Sequence, residues 1–350
     1  MNALRTMALK AISAVGIALT LASPGSAEMT ETEAKLYAAA KSAHENVTWY
    51  ITHFSIDTAE ALGRTFEAKY PGVPLNVIRT TAQVAFQRLN LEIKNNQSNC
   101  DIFSSTDLGH YTTLKSKGLL LKYEPENAAK AQPQFRGLDP DGTFHITSAG
   151  LVLITYNKEK LKDKELPKKW TDLIEPKWKN EITVGHPGYS AYVGTWVLQM
   201  RKLYGWDYFT KLEANKPQIG RSINDTVTML TAGERSVGAG PLATTLKSAA
   251  KGNPLGVIYP EDGALFMVAP SAIMQSTKNP NAARLFMEFL FSVAASKVSV
   301  DDFNEPIRPE VAPSPGAMPL SQVKTIQPTI GEIEKGMPEV IEAWRDLFGG

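Results

Sequence analysis

The chain has 350 residues, with 37 lysines and arginines against 36 aspartates and glutamates, so its formal charge is close to zero. A near-neutral surface does not attract nucleic acid or an anionic membrane electrostatically, and we therefore expect no nucleic-acid partner. The single cysteine, Cys100, excludes a disulfide within the chain, and beside Ile102 and Phe103 it is typical of a small buried apolar residue.

The first 27 residues have the pattern of a secretory signal peptide. Arg5 and Lys10 precede an apolar run over residues 11–22, and small residues precede Glu28. About a dozen apolar residues are too few to span a bilayer of roughly 30 Å. We therefore predict cleavage after Ala27 and export to the periplasm. The remaining chain of about 320 residues is too long for one compact core, which favours two lobes.

Strand and helix patterns alternate in the first part of the remaining chain. We predict helices at 28–45, 57–70 and 82–94, and strands at 47–51, 74–79 and 100–104. This alternating order is typical of an α/β fold with a mostly parallel sheet and crossover helices.

The second part of the chain continues the α/β pattern. A β-rich stretch over residues 144–156 is long enough to run from one lobe into the other. Further strands are predicted at 181–184, 236–240, 255–259 and 264–270, and helices at about 190–203, 222–232, 280–291 and 337–347. Five prolines between Pro306 and Pro319 predict an extended surface segment.

Several segments, in their order and spacing, resemble the iron(III)-type periplasmic binding proteins, within extracellular solute-binding protein family 1. These segments are VTWYITHFS, FEAKYPGV, DIFSSTDLGHYTTLKSKGLL, TYNKEKL, TDLIEPKWKNEITV, MLTAGERSVGAG, YPEDGALFMVAPSAIM and NPNAARLFMEFLFS. The resemblance implies a class II periplasmic binding protein fold, in which two α/β lobes joined by crossover strands hold a ligand between them. It implies a non-catalytic transport receptor that delivers its ligand to the membrane permease subunits of an ABC importer.

We assign residues 1–27 to the signal peptide, 28–150 and 262–306 to a first lobe, and 151–261 and 307–350 to a second lobe. In open α/β sheets the ligand lies beyond the carboxyl ends of the strands. The candidate ligand-binding residues lie at those ends or at the hinge: Tyr50, His53, Ser104, Ser105, Thr106, Asp107, Tyr189, Ser190, Ala191, Asn224, Asp225, Pro241, Tyr259 and Asp262.

The chemistry of these candidates favours a small anion. Helix starts at 188–191 and 222–226 offer backbone N–H groups without internal partners, and residues 104–106 offer hydroxyls. The resemblance implies that the first of these helix starts holds an anion. Serines that only cap their own helices would explain the same pattern. Tyr50 and Tyr189 are candidate walls, and Asp262 is a candidate acceptor for a ligand hydroxyl or ammonium.

The resemblance also implies an iron site, which this sequence does not reproduce. The relatives hold iron with two adjacent tyrosines, where this chain has Pro241 to Thr245, and with an acidic residue, where it has Thr106. His53 alone remains as a matching ligand, so we expect no metal and no cofactor. The predicted ligand is a carboxylate, phosphonate or sugar phosphate bound by a monomer.

Two alternatives remain open from the sequence. One is an iron(III) or other metal receptor with an altered ligand set built from His53, Asp107 and Tyr189. The other is a periplasmic hydrolase using Ser105, Asp107 and His53, although no GxSxG motif accompanies the serine.

Overall fold

A computed structural model describes residues 29–162 and 165–349. The predicted signal peptide lies outside the described residues. The α-helices are α1 (Glu31–Ser42), α2 (Ile56–Lys69), α3 (Ala82–Lys94), α4 (Leu108–Ser116), α5 (Ala191–Tyr204), α6 (Asp207–Ala214), α7 (Ile223–Thr231), α8 (Leu242–Ala250), α9 (Pro280–Leu290), α10 (Val293–Asp301) and α11 (Ile330–Phe348). The strands are β1 (Val47–Ile51), β2 (Leu75–Arg79), β3 (Ile102–Ser104), β4 (His145–Asn157), β5 (Ile182–Val184), β6 (Gln218–Ile219), β7 (Val237–Pro241), β8 (Leu255–Ile258), β9 (Ala264–Ile273) and β10 (Thr325–Ile326).

One continuous sheet runs through the molecule in the order β2-β1-β3-β9-β4-β7-β5-β6. The outer strands are parallel, as β1 is to β2 and β3, and as β5 is to β6 and β7. The central strands β4 and β9 are antiparallel to each other and to β7 and β3. The predicted parallel arrangement therefore holds for both outer parts, while two long antiparallel strands join them.

The two parts, which we call the first and the second lobe, have different main hydrophobic clusters, and Leu242 and Leu246 of α8 join the cluster of the first lobe. Every residue of β1 is buried, and its alternating side chains enter different clusters: Trp49 and Ile51 on one face, Tyr50 on the other. The second lobe has its own core around Trp170, Trp196 and neighbouring aromatic side chains. Strands covered on both faces explain the nearly continuous apolar runs in the sequence.

Two predicted helix starts are wrong in position. The helix predicted over 57–70 begins at Ile56, because the Ser55 side chain caps α2 by accepting a hydrogen bond from the Thr58 amide. The last helix begins at Ile330 rather than near 337, because Thr329 and Glu332 form a capping box. Pro338 lies inside this helix, where a sequence pattern alone indicates a boundary.

The proline-rich segment contacts the first lobe at several points, and at Met318 it also bonds to Tyr259 of the second. The Ile307 carbonyl accepts a hydrogen bond from the Gln132 amide at 2.8 Å, and the Ser314 hydroxyl donates to the Val300 carbonyl at 2.8 Å. Leu320 belongs to the core of the first lobe. We therefore propose that the first lobe extends through residue 323. The boundary predicted from the sequence lies earlier, between residues 306 and 307.

None of the described helices combines the length and the apolar composition needed to cross a membrane.

Close backbone approach between β5 and β7 predicts a specific stability effect. A Cβ at Gly238 would lie 2.1 Å from the Thr183 carbonyl oxygen, so Gly238→Ala must separate these two strands. We expect a loss of about 1–3 kcal/mol in the free energy of unfolding, measured by urea denaturation.

Gly331→Ala is the matched control, because a Cβ there meets nothing within 4 Å. This substitution should change the stability by less than about 1 kcal/mol, in the stabilising direction. Equal urea midpoints for the two variants would contradict the proposed strand contact.

Candidate functional site

A cavity of about 620 Å³ lies between the two lobes. On the first lobe it is bounded by the start of α4, and on the second lobe by the loop before α5 and the first residue of that helix. Its floor is formed by Phe266, Met267 and Val268 in the middle of β9, where the sheet passes from one lobe to the other. A shallower depression of about 740 Å³ lies beside α3 and is lined by residues of the first lobe alone.

The loop before α5 is held in place by a histidine. His186 Nδ1 accepts the Gly188 amide at 3.0 Å, and the His186 carbonyl accepts the amides of Tyr189 and Ser190, each at 3.2 Å. These three bonds fix the backbone at the point where the helix begins. Burial lowers the pKa of His186, which favours the neutral ring that accepts the Gly188 amide.

The start of α5 leaves donors free to meet a ligand. Ser190 is the N-cap residue, but its side chain makes no capping hydrogen bond, and the first bond back to its carbonyl comes from Gly194 at 2.9 Å. The amides of the first helical residues therefore have no internal partner, and the helix dipole favours negative charge beside them. Tyr189, Ser190 and Ala191 all line the cavity, where the sequence analysis expects ligand-binding residues.

The first-lobe wall contains Thr106 and Asp107, which also lie where the sequence analysis expects ligand-binding residues. Asp107 caps α4 by accepting the Gly109 amide at 3.0 Å, and it accepts Gln83 Nε2 at 3.1 Å. Within the described chain the Thr106 side chain has no hydrogen-bond partner, so its hydroxyl is available to a ligand.

Ser104 and Ser105 do not reach the cavity, contrary to the sequence prediction. Both are fully buried. The Ser104 hydroxyl accepts Trp49 Nε1 at 2.7 Å and lies 2.5 Å from the Ser271 hydroxyl. The Ser105 hydroxyl lies 3.1 Å from His110 Nδ1 and accepts the Asp107 amide at 3.2 Å.

The triad of Ser105, Asp107 and His53 that the hydrolase alternative requires is therefore not formed. The histidine beside Ser105 is His110, not His53, and a fully buried hydroxyl has no access to a substrate.

Three further candidates do not line this cavity and bond to other parts of the protein, so their role in ligand binding stays a prediction. Tyr50 is buried and donates to Glu92 Oε1 at 2.6 Å, and the Tyr259 hydroxyl accepts the Met318 amide at 2.9 Å. Asp262 fastens the hinge turn to the second lobe, because one of its carboxylate oxygens accepts the Trp170 amide at 2.9 Å and the Tyr204 hydroxyl at 2.6 Å.

Asn224, Asp225 and Pro241 lie at two other helix starts of the second lobe, and none of them lines the described cavity. Asp225 is used in a capping box with Ser222 at the start of α7. Asn224 accepts the Thr244 hydroxyl at 2.9 Å, which links the starts of α7 and α8. Pro241 ends β7 and immediately precedes α8.

His53 is a separate case, because its ring nitrogens are buried without hydrogen-bond partners. It follows the carboxyl end of β1 beside Thr52, whose hydroxyl is also buried and unpaired. Burial and the nearby charge of Arg79 lower the pKa of His53 to about 3. Unpaired polar atoms at a strand end are those that a ligand or a water molecule would satisfy.

Sequence reasoning missed the apolar wall of the cavity. Ile333, Met337 and Ile341 of α11 line it, opposite Leu108 and Leu138 of the first lobe. The helical spacing of the three α11 residues was the available signal, although Pro338 obscured it.

Arg221 was also missed: its guanidinium carbon lies 5.2 Å from the ring centroid of Tyr189.

Over residues 29–162 and 165–349, no group of three or more His, Cys, Asp or Glu side chains is arranged to hold a metal ion.

Two of the curated proteins similar to this chain are named as periplasmic binding proteins. A protein of Salmonella paratyphi A, provisionally named a 2-aminoethylphosphonate-binding periplasmic protein, is 23% identical over 316 residues, covering 86% of this chain and 88% of its own. A protein of Sinorhizobium fredii, provisionally named an ABC transporter periplasmic-binding protein, is 23% identical over 267 residues, covering 72% of each chain.

Solved structures share the fold over most of their length. The periplasmic binding protein AfuA of Actinobacillus pleuropneumoniae, with fructose-6-phosphate bound, matches with a TM-score of 0.71 and 24% identity, covering 87% of this chain and 98% of its own. Iron-bound HitA of Pseudomonas aeruginosa matches with a TM-score of 0.72 and 22% identity, covering 87% and 99%. The predicted two-lobed α/β class is confirmed.

The family itself is identified by a match over residues 97–317 to the model described as bacterial extracellular solute-binding protein. This match spans more than half of the chain and includes β3, both crossover strands and the loop before α5. The chain therefore belongs to the bacterial extracellular solute-binding protein family.

Proposed function

We propose that this protein captures a small organic anion between its two lobes and delivers it to the membrane permease subunits of an ABC importer. The observation that carries this proposal is the uncapped start of α5, which presents the Ser190 hydroxyl and free backbone amides to the interlobe cavity. The ligand class comprises carboxylates, phosphonates and sugar phosphates.

The comparisons favour this class of ligand. One relative is provisionally named for 2-aminoethylphosphonate, and one structural neighbour holds fructose-6-phosphate. Both compounds carry a tetrahedral anionic phosphorus group, which suits several converging N–H and hydroxyl donors. A cavity of about 620 Å³ lies within the range of small-molecule sites.

Lobe closure is the mechanism that this arrangement supports. Thr106 and Asp107 stand on one lobe and Ser190 on the other, so a ligand that contacts both sides favours the closed form. The ligand moves the open–closed equilibrium by as much as its affinities for the two forms differ. We propose that the protein catalyses no reaction. We also propose that it acts as an exported monomer in the periplasm after removal of residues 1–27.

Removing one backbone donor from the start of α5 tests the site directly. Ala191→Pro deletes the N–H of the first helical residue, a position where proline is tolerated, and Ser190 already has the extended backbone that a following proline requires. We expect roughly 10- to 150-fold weaker binding of the anion, since a hydrogen bond to a charged group contributes about 1.5–3 kcal/mol.

The measurement is isothermal titration with 2-aminoethylphosphonate, fructose 6-phosphate, citrate and inorganic phosphate. Val293→Pro, at the same position of α10 and outside the interlobe cavity, is the control and should leave the affinity unchanged. If none of the four anions binds the wild-type protein, the proposed ligand class is wrong. One iron per chain by elemental analysis, with a coloured protein, would support the metal alternative instead.

The depressed pKa of His53 predicts how stability depends on pH. A histidine held neutral in the folded state stabilises the protein above pH ~6.5, the ordinary pKa, and this stability is lost as the pH falls toward 3. Between pH 6.5 and 4.5, wild type should lose about 2 kcal/mol more than His53→Gln in urea denaturation. Parallel losses in the two proteins would show that His53 is not held neutral.

A further inference from the structure

The charged side chains that line the interlobe cavity are acidic, and they repel an anion. Two acidic side chains, Asp107 and Glu334, line it, and no basic side chain among the described residues does. One helix start supplies the equivalent of roughly half a positive charge. An anionic ligand therefore needs a further cation close to the start of α5.

Arg221 is a cation that lies beside Tyr189, one of the residues that line the cavity. It occupies the loop between β6 and α7, and its guanidinium carbon is 5.2 Å from the ring centroid of Tyr189. Tyr189 lines the cavity next to Ser190, and its side chain is 63% exposed. Among the described residues, Arg221 has no ion pair and no hydrogen bond to another side chain.

The backbone around Arg221 is fixed although its side chain is free. The Gly220 amide donates to the Val184 carbonyl at 2.9 Å. A Cβ at Gly185 would lie 2.8 Å from the Ser222 carbonyl oxygen, so this loop packs directly on the end of β5. Asp225, the nearest acidic residue along the chain, bonds to Ser222 in the capping box and makes no ion pair with Arg221 in the described structure.

We propose that Arg221 is the specificity-determining cation for the anionic group of the ligand, and that Tyr189 is the platform on which its guanidinium lies. This inference rests on the proposed function. A guanidinium binds a carboxylate or phosphate through two parallel N–H donors, and an aromatic face restrains its plane. Together with the start of α5, Arg221 offsets the negative charge of Asp107 and Glu334.

The experiment measures affinity by isothermal titration for 2-aminoethylphosphonate, fructose 6-phosphate, citrate and inorganic phosphate. For each anion that wild type binds, Arg221→Met should weaken binding at least tenfold, and Arg221→Lys should weaken it less because the charge remains. Tyr189→Ala should weaken binding a few-fold through loss of the platform. The dependence of the wild-type affinity on salt should become shallower in Arg221→Met.

The matched control is Arg64→Met, which removes the same charge from an exposed arginine of α2 that pairs with Glu60. Its affinity should stay within twofold of wild type, and unliganded melting temperatures verify that all variants fold. If wild type binds an anion and Arg221→Met binds it within twofold, the inference is overturned and the proposed function stands. If wild type binds none of the anions, both are overturned.

Discussion

Backbone pairing between β4 and β9 connects the two halves of this molecule. From the His145–Ser271 pair to the Val152–Leu265 pair, the two strands run antiparallel through the middle of the sheet, and β4 then continues into the second lobe against β7 and β8. Because one strand belongs to both cores, each lobe is anchored to the same hydrogen-bonded ladder. The cavity lies over this ladder, where Gly150 opposes Met267 and a Cβ would come within 3.4 Å of the Tyr192 hydroxyl.

Helices that start at the cleft edge explain why many polar residues there are unavailable to a ligand. Each helix start needs partners for its first amides, and side chains at the strand ends supply most of them. Asp107 caps α4, Ser55 caps α2, and Asp225 within the first turn of α7 accepts the amide of the N-cap residue Ser222. Ser190 differs because its side chain makes no capping bond. Among the described helices, α5 and α3 each reach the cavity with their first residues and have no side-chain cap, so their first amides are available to a ligand.

Much of the fold was predictable from local patterns, since β1 and α3 lie where strand and helix periodicity place them. The direction of a side chain at a strand end was not predictable. Ser104 and Ser105 follow a buried strand and are as polar as Thr106, yet their hydroxyls bond to Trp49 and His110 from other elements. Such partners become neighbours only through tertiary packing, which a single sequence does not display.

Tertiary packing also decides the path of the proline-rich segment and the origin of the apolar wall of the cavity. Prolines between 306 and 319 indicated an extended surface path, but buried contacts of Ile307 and Leu320 decide which lobe the segment joins. The apolar wall comes from α11, more than 130 residues away in sequence from the start of α5. A pattern search that begins at strand ends therefore identifies the polar donors of the cavity and overlooks the apolar surface facing them.

The strength of the contacts between the two lobes determines how much binding free energy a ligand needs to shift the open–closed equilibrium. Asp302 of the first lobe pairs with Lys247 of α8 in the second, and its other carboxylate oxygen accepts the Thr58 hydroxyl at 2.7 Å. The lysine side chain is 45% exposed, and ion pairs of this kind contribute about 0–1 kcal/mol. By itself this ion pair biases closure only weakly, and Leu242 and Leu246 of α8 add apolar contact with the first-lobe core. A ligand shifts the open–closed equilibrium about tenfold for each 1.4 kcal/mol by which it binds the closed form more tightly than the open form.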